Sequence, residues 1–169
     1  MAVRPILTFP DPRLETACAP VAAVDDALAA LIADLRDTLA DAGGLGLSAP
    51  QLGASVRVAL TAPAGDGAAP TVFLDPEIVA RKRWGLVEES CLSIPGVVGN
   101  VFRATRVRVR ARDEAGRPFE RDLEDMAAVS LQHELDHLDG KLFIDRLSPF
   151  RRWRIRARAK AAAKADAAA

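Results

Sequence analysis

Leu28, Leu31, Ile32, Leu35 and Leu39 recur at three- and four-residue intervals, the period of a helix that buries one face. Asp25 precedes them as a predicted N-cap and Gly43-Gly44 follows them as a stop, so the pattern predicts an amphipathic packing helix over 24–42. From 55 to 124 the period changes to two. Val56, Val58 and Leu60 alternate, Thr71-Val72-Phe73-Leu74 and Ile78-Val79 form further short runs, and Val107, Val109 and Ala111 alternate with Arg106, Arg108, Arg110 and Arg112. Such alternation predicts strands with one face buried and one face in water. Asp113-Glu114-Ala115-Gly116-Arg117 predicts a hairpin turn leading into Phe119–Leu123. A second helical pattern opens at Asp125, the predicted N-cap, and stops before Gly140. On its wheel Met126, Val129, His133 and His137 share one side, while Ala128, Leu131, Leu135 and Leu138 lie opposite. Residues 1–23, punctuated by Pro10-Asp11-Pro12, read as an extended lead. Strands followed by one late helix predict an α+β fold. The expectation is antiparallel sheets packed around that helix, with the packing helix before it and a helical tail after it.

Composition adds limits rather than detail. A chain of 169 residues suits a single core, and 50% hydrophobic with 27% charged residues is ordinary for a soluble globule. No apolar run approaches the roughly 20 residues of a bilayer span. Met1-Ala2-Val3-Arg4-Pro5 lacks the apolar run of a signal peptide, so a cytoplasmic protein without a membrane partner is expected. The zero net charge hides a split: residues 151–169 hold seven Arg/Lys and one Asp, a net of +6, which leaves −6 on the rest. The expected organisation is therefore a body over 1–150 and a basic, Ala-rich helical tail over 151–169. The arginines alternating along 106–112 read as the solvated face of a sheet rather than a DNA-binding surface.

The candidate chemistry sits in Gln132-His133-Glu134-Leu135-Asp136-His137-Leu138, which holds the only two histidines of the chain. Four residues apart on a helix, their imidazoles lie on one face a turn apart, where they can hold one metal ion with Glu134 beside them as a proton carrier. With no third histidine, the remaining protein ligand must be a cysteine or a carboxylate. Of Cys18 and Cys91, Cys91 is the stronger candidate, because it follows a strand and is flanked by small polar residues in Glu88–Gly96, whereas Cys18 lies in the lead. Two cysteines make no disulfide framework. Gly44-Leu45-Gly46-Leu47-Ser48-Ala49-Pro50-Gln51 has the small residues that allow close backbone approach to a ligand, but lacks the Gly-Lys-Ser/Thr ending of a phosphate loop.

Three stretches together, Gly44–Gln51, Glu89–Ser93 and Gln132–Gly140, resemble in order and spacing the motifs of the peptide deformylases, roughly GxGLAAPQ, EGCLS and QHExDHLxG. The likeness extends to Arg4-Pro5-Ile6-Leu7 with Pro10–Leu14, and to Gly140–Pro149, so it covers nearly the whole chain. Ser48 stands where the family usually has Ala, and Ser90 where it usually has Gly. The resemblance implies a metal-dependent hydrolase that removes the formyl group from N-formylmethionyl peptides and releases formate. It implies Cys91, His133 and His137 as ligands of one divalent metal with water in the fourth position. Glu134 would be the acid/base, and the Gln51 amide and the Leu92 backbone N–H would be donors to the formyl oxygen. Leu45 and Gly46 would pair with substrate backbone, and Val129 and Leu92 are candidate walls of the methionine pocket. The family commonly uses Fe(II); Zn(II), Ni(II) or Co(II) can replace it, and one thiolate with two imidazoles suits iron or zinc alike. Residues 151–169 would offer a ribosome-docking helix. The competing readings are another HExxH metallohydrolase, a deformylase-like paralogue altered by Ser90, and a module stapled by metal for structure alone.

Overall fold

The computed structural model describes residues 2–62 and 69–166. Helix α1 spans Asp26–Ala42. The Asp25 carboxylate accepts from the Leu28 N–H at 2.9 Å, and Gly43 closes the helix at φ +62°, as the pattern predicts. Its buried stripe, Leu28, Ile32, Leu35 and Leu39, packs on Leu47, Val58, Leu60 and Leu74 of the sheet.

That sheet has five antiparallel strands in sequential order: β1 (Gly46–Ser48), β2 (Val58–Thr61), β3 (Thr71–Cys91), β4 (Ile94–Arg112) and β5 (Pro118–Glu124). Three expectations from the alternation need correction. All four residues of β2 are buried, because α1 packs against it as well as the second helix; Val56 precedes the strand and bridges Ala19 in the lead. The short runs at 71–74 and 78–79 belong to one 21-residue strand that also includes Glu88–Cys91. Pro76 sits where the β3–β4 register shifts between Leu74 and Glu77, so the ladder is already interrupted there. Leu92-Ser93 is then the tight turn into β4, which starts at Ile94, well before the alternating arginines.

The predicted hairpin turn is present, with Asp113 Oδ1 accepting from the Ala115 and Arg117 N–H groups. The outward arginines of β4 meet acids across the ladder: Arg108 pairs with Asp122 and Arg110 with Glu120, both in direct register.

Helix α2 spans Asp125–Leu138 and packs against the sheet through β1, β2, β4 and β5. Its N-cap is Glu124 rather than Asp125, which is already the first helical residue, at φ +50°, and no side chain caps this end. Ten of its 14 residues are buried. Leu131 meets Phe73, Val109 and Ala111, and Leu138 meets Cys18 and Ala59. Gly140 follows at φ +68°, where a Cβ would stand 2.8 Å from the Ala17 backbone nitrogen, so only glycine lets the lead cross this helix end.

The lead is a strap. Leu7 N–H donates to Gln51 O and Phe9 N–H to Ser93 O, both at 2.8 Å, and Cys18 N–H donates to Leu138 O at 2.9 Å. One extended segment thereby ties together the turns after β1 and β3 and the end of α2. Helix α3 spans Pro149–Asp166. Its Ile155 and Ala159 pack on the cluster of Phe9, Ile94 and Phe143, and Arg156 reaches Glu15 at 2.6 Å and Asp145 at 2.7 Å. No helix among the described residues is long and apolar enough to cross a membrane.

The hairpin and α2 are joined through Arg103, 1% exposed on β4. Its guanidinium donates to Glu89 Oε1 at 2.6 Å, Glu89 Oε2 at 3.0 Å and Asp136 Oδ2 at 2.7 Å. Arg146 donates to Asp136 from the other side at 2.6 Å. Removing one member strands its partners' charges away from water, so Arg103→Ala is expected to lower unfolding free energy by about 3–5 kcal/mol. Urea melts check this against Arg108→Ala, whose exposed pair should matter far less.

The same cluster sets an acid limit. Burial pushes the Glu89 carboxyl up, but hydrogen bonds from His133 and Arg103 outweigh it and hold it down at about 2. A depressed carboxyl contributes stability that is complete above its unfolded value of 4.5 and is lost as pH falls through 2. Thermal melts between pH 6 and 2 are expected to fall steeply below about pH 4.5, and less steeply in Glu89→Gln.

Candidate metal centre

Strand β3 ends at Cys91, and the pairing of Cys91 with Ile94 around the Leu92-Ser93 turn closes this end of the hairpin, where Cys91 meets α2. There the helical period delivers His133 and His137 with ring centroids 5.1 Å apart. Cys91 Sγ lies 3.2 Å from His137 Nε2, and the ligand atoms of Cys91, His133 and His137 all fall within 4.8 Å of one another. The other cysteine is elsewhere: Cys18 packs on Ala59 and Leu138, and burial pushes its thiol up.

The donor set fits a divalent transition metal. A soft sulfur and two imidazole nitrogens are the mixture that iron and zinc accept, and three protein ligands leave a position open. His133 has one nitrogen committed, Nδ1 lying 2.9 Å from Glu89 Oε2, which directs the ring and leaves Nε2 for the centre. Burial and the neighbouring His133 charge push His137 down to about 3, so its ring stays neutral and keeps a lone pair to give. Burial also opposes charge on His133, but hydrogen bonds with Cys91 and Glu89 reverse this and raise it well above 6.5; electron-rich neighbours that hold a proton there equally favour a cation.

Glu134 stands beside the set, 3% exposed, and its Oε2 has no hydrogen-bond partner among the described residues. Burial pushes its carboxyl up to about 7, against the opposing pull of His133 and the Ser48 hydroxyl. A carboxyl poised there can both take and return a proton near neutrality. It packs so closely on β1 that a Cβ at Gly46 would lie 2.6 Å from Glu134 Oε1 and from Ser130 Oγ. The small residue that the sequence places at 46 is therefore required by the site itself.

A cavity of about 450 Å³ opens beside these groups, lined by Leu45, Gly46, Gln51, Leu92 and Val129 among others, together with Cys91, His133 and Glu134. All nine residues singled out from the sequence line it or, in the case of His137, contact Cys91 directly. Ser90 also lines it, at a regular ladder position opposite Val98 and with no positive φ, so a serine fits this backbone without strain.

Sequence reasoning missed the groups that orient these residues: Glu89, Arg103, Asp136 and Ser93. Arg103 carried a usable signal, since counting back by twos from Val107, Val109 and Ala111 puts Val101 and Arg103 on the inward face. The structure buries both and leaves Phe102, between them, 60% exposed.

A family model for polypeptide deformylase matches residues 3–153. A peptide deformylase of Alkalilimnicola ehrlichii is 50% identical over 157 residues, covering 92% of this chain and 88% of the relative. One of Cellvibrio japonicus is 46% identical over 159 residues, covering 94% of each. A crystal structure of a peptide deformylase from Legionella pneumophila is 43% identical and superposes with a TM-score of 0.89 over 98% of both chains. With the site's geometry and the match along nearly its whole length in agreement, the chain belongs to the polypeptide deformylase family.

Proposed function

We infer that this protein hydrolyses the formyl amide at the amino terminus of N-formylmethionyl polypeptides, releasing formate and a free amine. The observation that carries the site assignment is the buried Glu134 carboxylate, whose Oε2 has no partner among the described residues, beside the Cys91–His133–His137 set, with Glu134, Cys91 and His133 lining one cavity.

We assign Cys91, His133 and His137 as the protein ligands of one divalent ion, Fe(II) by preference, with Zn(II), Ni(II) and Co(II) as substitutes. Such an ion supplies Lewis acidity, polarising the formyl carbonyl and acidifying a water. Glu134 takes the proton of the attacking water as its oxygen bonds to the formyl carbon. When the carbon–nitrogen bond breaks, Glu134 returns that proton to the leaving amine nitrogen. Gln51 Nε2 and the Leu92 backbone N–H donate to the formyl oxygen as charge gathers on it. The outer edge of β1 at Leu45 and Gly46 pairs with the peptide backbone. Val129 and Leu92 contribute apolar wall for the methionine side chain, consistent with their place around the cavity. Ser90 has no positive φ, so the backbone ground for a silenced paralogue is absent, while its side chain lines the cavity that would take the substrate.

Nascent formylmethionyl chains arise at the ribosome, so we assign the work to the cytoplasm and keep the basic tail 151–169 as the candidate contact with ribosomal RNA; its residues 167–169 lie outside the described residues. Arg154 and Arg158 are exposed on α3, beside a groove of about 470 Å³ shared with Val97 and Val98.

Glu134→Gln keeps the shape and removes the acid/base, so it is expected to lower formate release from a formyl-Met tripeptide by about 10²–10⁴-fold. Metal per chain, measured after anaerobic iron loading, should be unchanged; retained turnover would discard the assignment. Arg154→Glu with Arg158→Glu is expected to weaken co-sedimentation with ribosomes at low salt and leave tripeptide hydrolysis intact. Paired substitution is preferable to truncation at 151, which also removes the Ile155 and Arg156 contacts with the body.

A further inference from the structure

We propose that the substrate chain, once past its first residues, runs along the outer face of the β3–β4 hairpin and docks apolar side chains on Trp84, Leu86 and Phe102. These three residues then select nascent polypeptides by sequence well downstream of the formylmethionine. This rests on the reading that the cavity takes the formylmethionyl end.

The ladder makes the cavity wall and these residues one surface. From Leu86 to Ser90 the pairing of β3 with β4 is unbroken: Leu86 lies opposite Phe102, Glu88 opposite Asn100 and Ser90 opposite Val98. Alternate residues of a strand share a face, so these six side chains point the same way. Exposure follows the rule, since all six are exposed while Glu89, Gly99 and Val101 between them are buried. Ser90, Val98 and Glu88 line the catalytic cavity. Leu86 and Phe102 are the next cross-strand pair on that face, just beyond the cavity wall. Trp84, one outward step further along β3, stacks on Phe102 with ring centroids 5.6 Å apart and 17° between the planes.

Nothing in the fold covers this patch: Trp84 is 53%, Leu86 68% and Phe102 60% exposed. Two stacked aromatic rings beside a leucine, all open to water, mark an interaction surface. Continuity with the cavity identifies the occupant. A polypeptide held by its amino terminus has to leave the cavity, and the wall at Ser90 and Glu88 leads straight to the patch. At about 3.3 Å per residue, roughly four residues of extended chain reach from Ser90 to the level of Leu86, and roughly six reach Trp84. A nascent chain is not yet folded, so its apolar side chains are free to make this contact. A phosphate backbone fits the path poorly, because Glu88 stands exposed between cavity and patch and the cations Arg81, Lys82 and Arg83 come only after Trp84.

The test gives the iron-loaded enzyme three substrates: a formyl-Met tripeptide, and two ten-residue formyl-Met peptides that differ only in carrying serine or leucine at positions six to eight. The wild type is expected to show a KM about ten-fold lower for the leucine peptide than for the serine peptide, with kcat little changed, since distant contacts hold ground and transition states alike. That advantage is expected to vanish in Trp84→Ser with Phe102→Ser, and to fall to about three-fold in Leu86→Ser, while tripeptide kinetics stay unchanged. The replaced side chains are exposed, so both variants are expected to fold, and Tm verifies this. Equal KM for the two long peptides in the wild type overturns the proposal, as does an undiminished leucine advantage in the variants. With peptide selectivity absent, a wild-type dimer in sedimentation equilibrium that the variants convert to monomer gives the patch to a second copy of the chain. Loss of ribosome co-sedimentation in the variants, again without peptide selectivity, gives it to the ribosome; either result overturns the proposal. No formate from the tripeptide overturns the reading of the cavity and the proposal with it.

Discussion

A guanidinium held out of water governs this structure. Arg103 is nearly inaccessible on β4, and a lone charge there would be ruinous; it is tolerable because Glu89 and Asp136 surround it with three short hydrogen bonds. The consequences lie in where those carboxylates sit. Glu89 is two residues before Cys91 and also accepts from the His133 ring, and Asp136 is next to His137. One buried cation therefore sets strand and helix in register at the point where their side chains must meet. An apolar residue of similar volume would fill the space, but it would leave Glu89, which directs the His133 ring, and Asp136 without their buried cation.

Backbone hydrogen bonds complete what the ion cluster begins. The loop of Gln51 and the turn of Ser93 come from distant parts of the chain, and the lead joins them through Leu7 and Phe9. The same lead crosses the end of α2 at Gly140, where no side chain would fit. Three segments that carry chemistry are thus held by one strap that carries none. This explains why a resemblance in three motifs extends to the opening residues.

Legibility in the sequence tracked how local the cause was. Asp25, Gly43 and the 113–117 turn act through neighbours a few residues away, and each appears where the pattern put it. The histidine pair was equally plain, because helical spacing alone brings the rings together. The long hairpin was not. Residues 71–74 and 78–79 read as separate runs and Cys91 as lying beyond a strand, yet pairing with β4 over most of its length joins them in one strand. The N-cap moved by one residue for the same reason, since β5 runs directly into α2. Alternation puts Arg103 on the inward face, but charge on a strand is read as a wet face and it was passed over. The partners that make its burial tolerable lie 14 and 33 residues away, and these no local pattern displays.

Glu89 and Glu134 show how one environment assigns opposite tasks to the same functional group. Both are buried within reach of His133, and for both burial is the largest influence and favours the neutral acid. Glu89 faces Arg103 as well, and hydrogen bonds from His133 and Arg103 hold it at about 2, ionised at any pH where the protein works. It can orient a ring but cannot carry a proton. Glu134 has no guanidinium; Glu89 and Asp136 add their own negative fields, and it settles at about 7. An arginine beside Glu134 instead would hold that carboxyl ionised and unfit to shuttle protons. The position of Arg103, on the Glu89 side of the helix and away from the cavity's acid/base, is thus a requirement of the chemistry as much as of the fold.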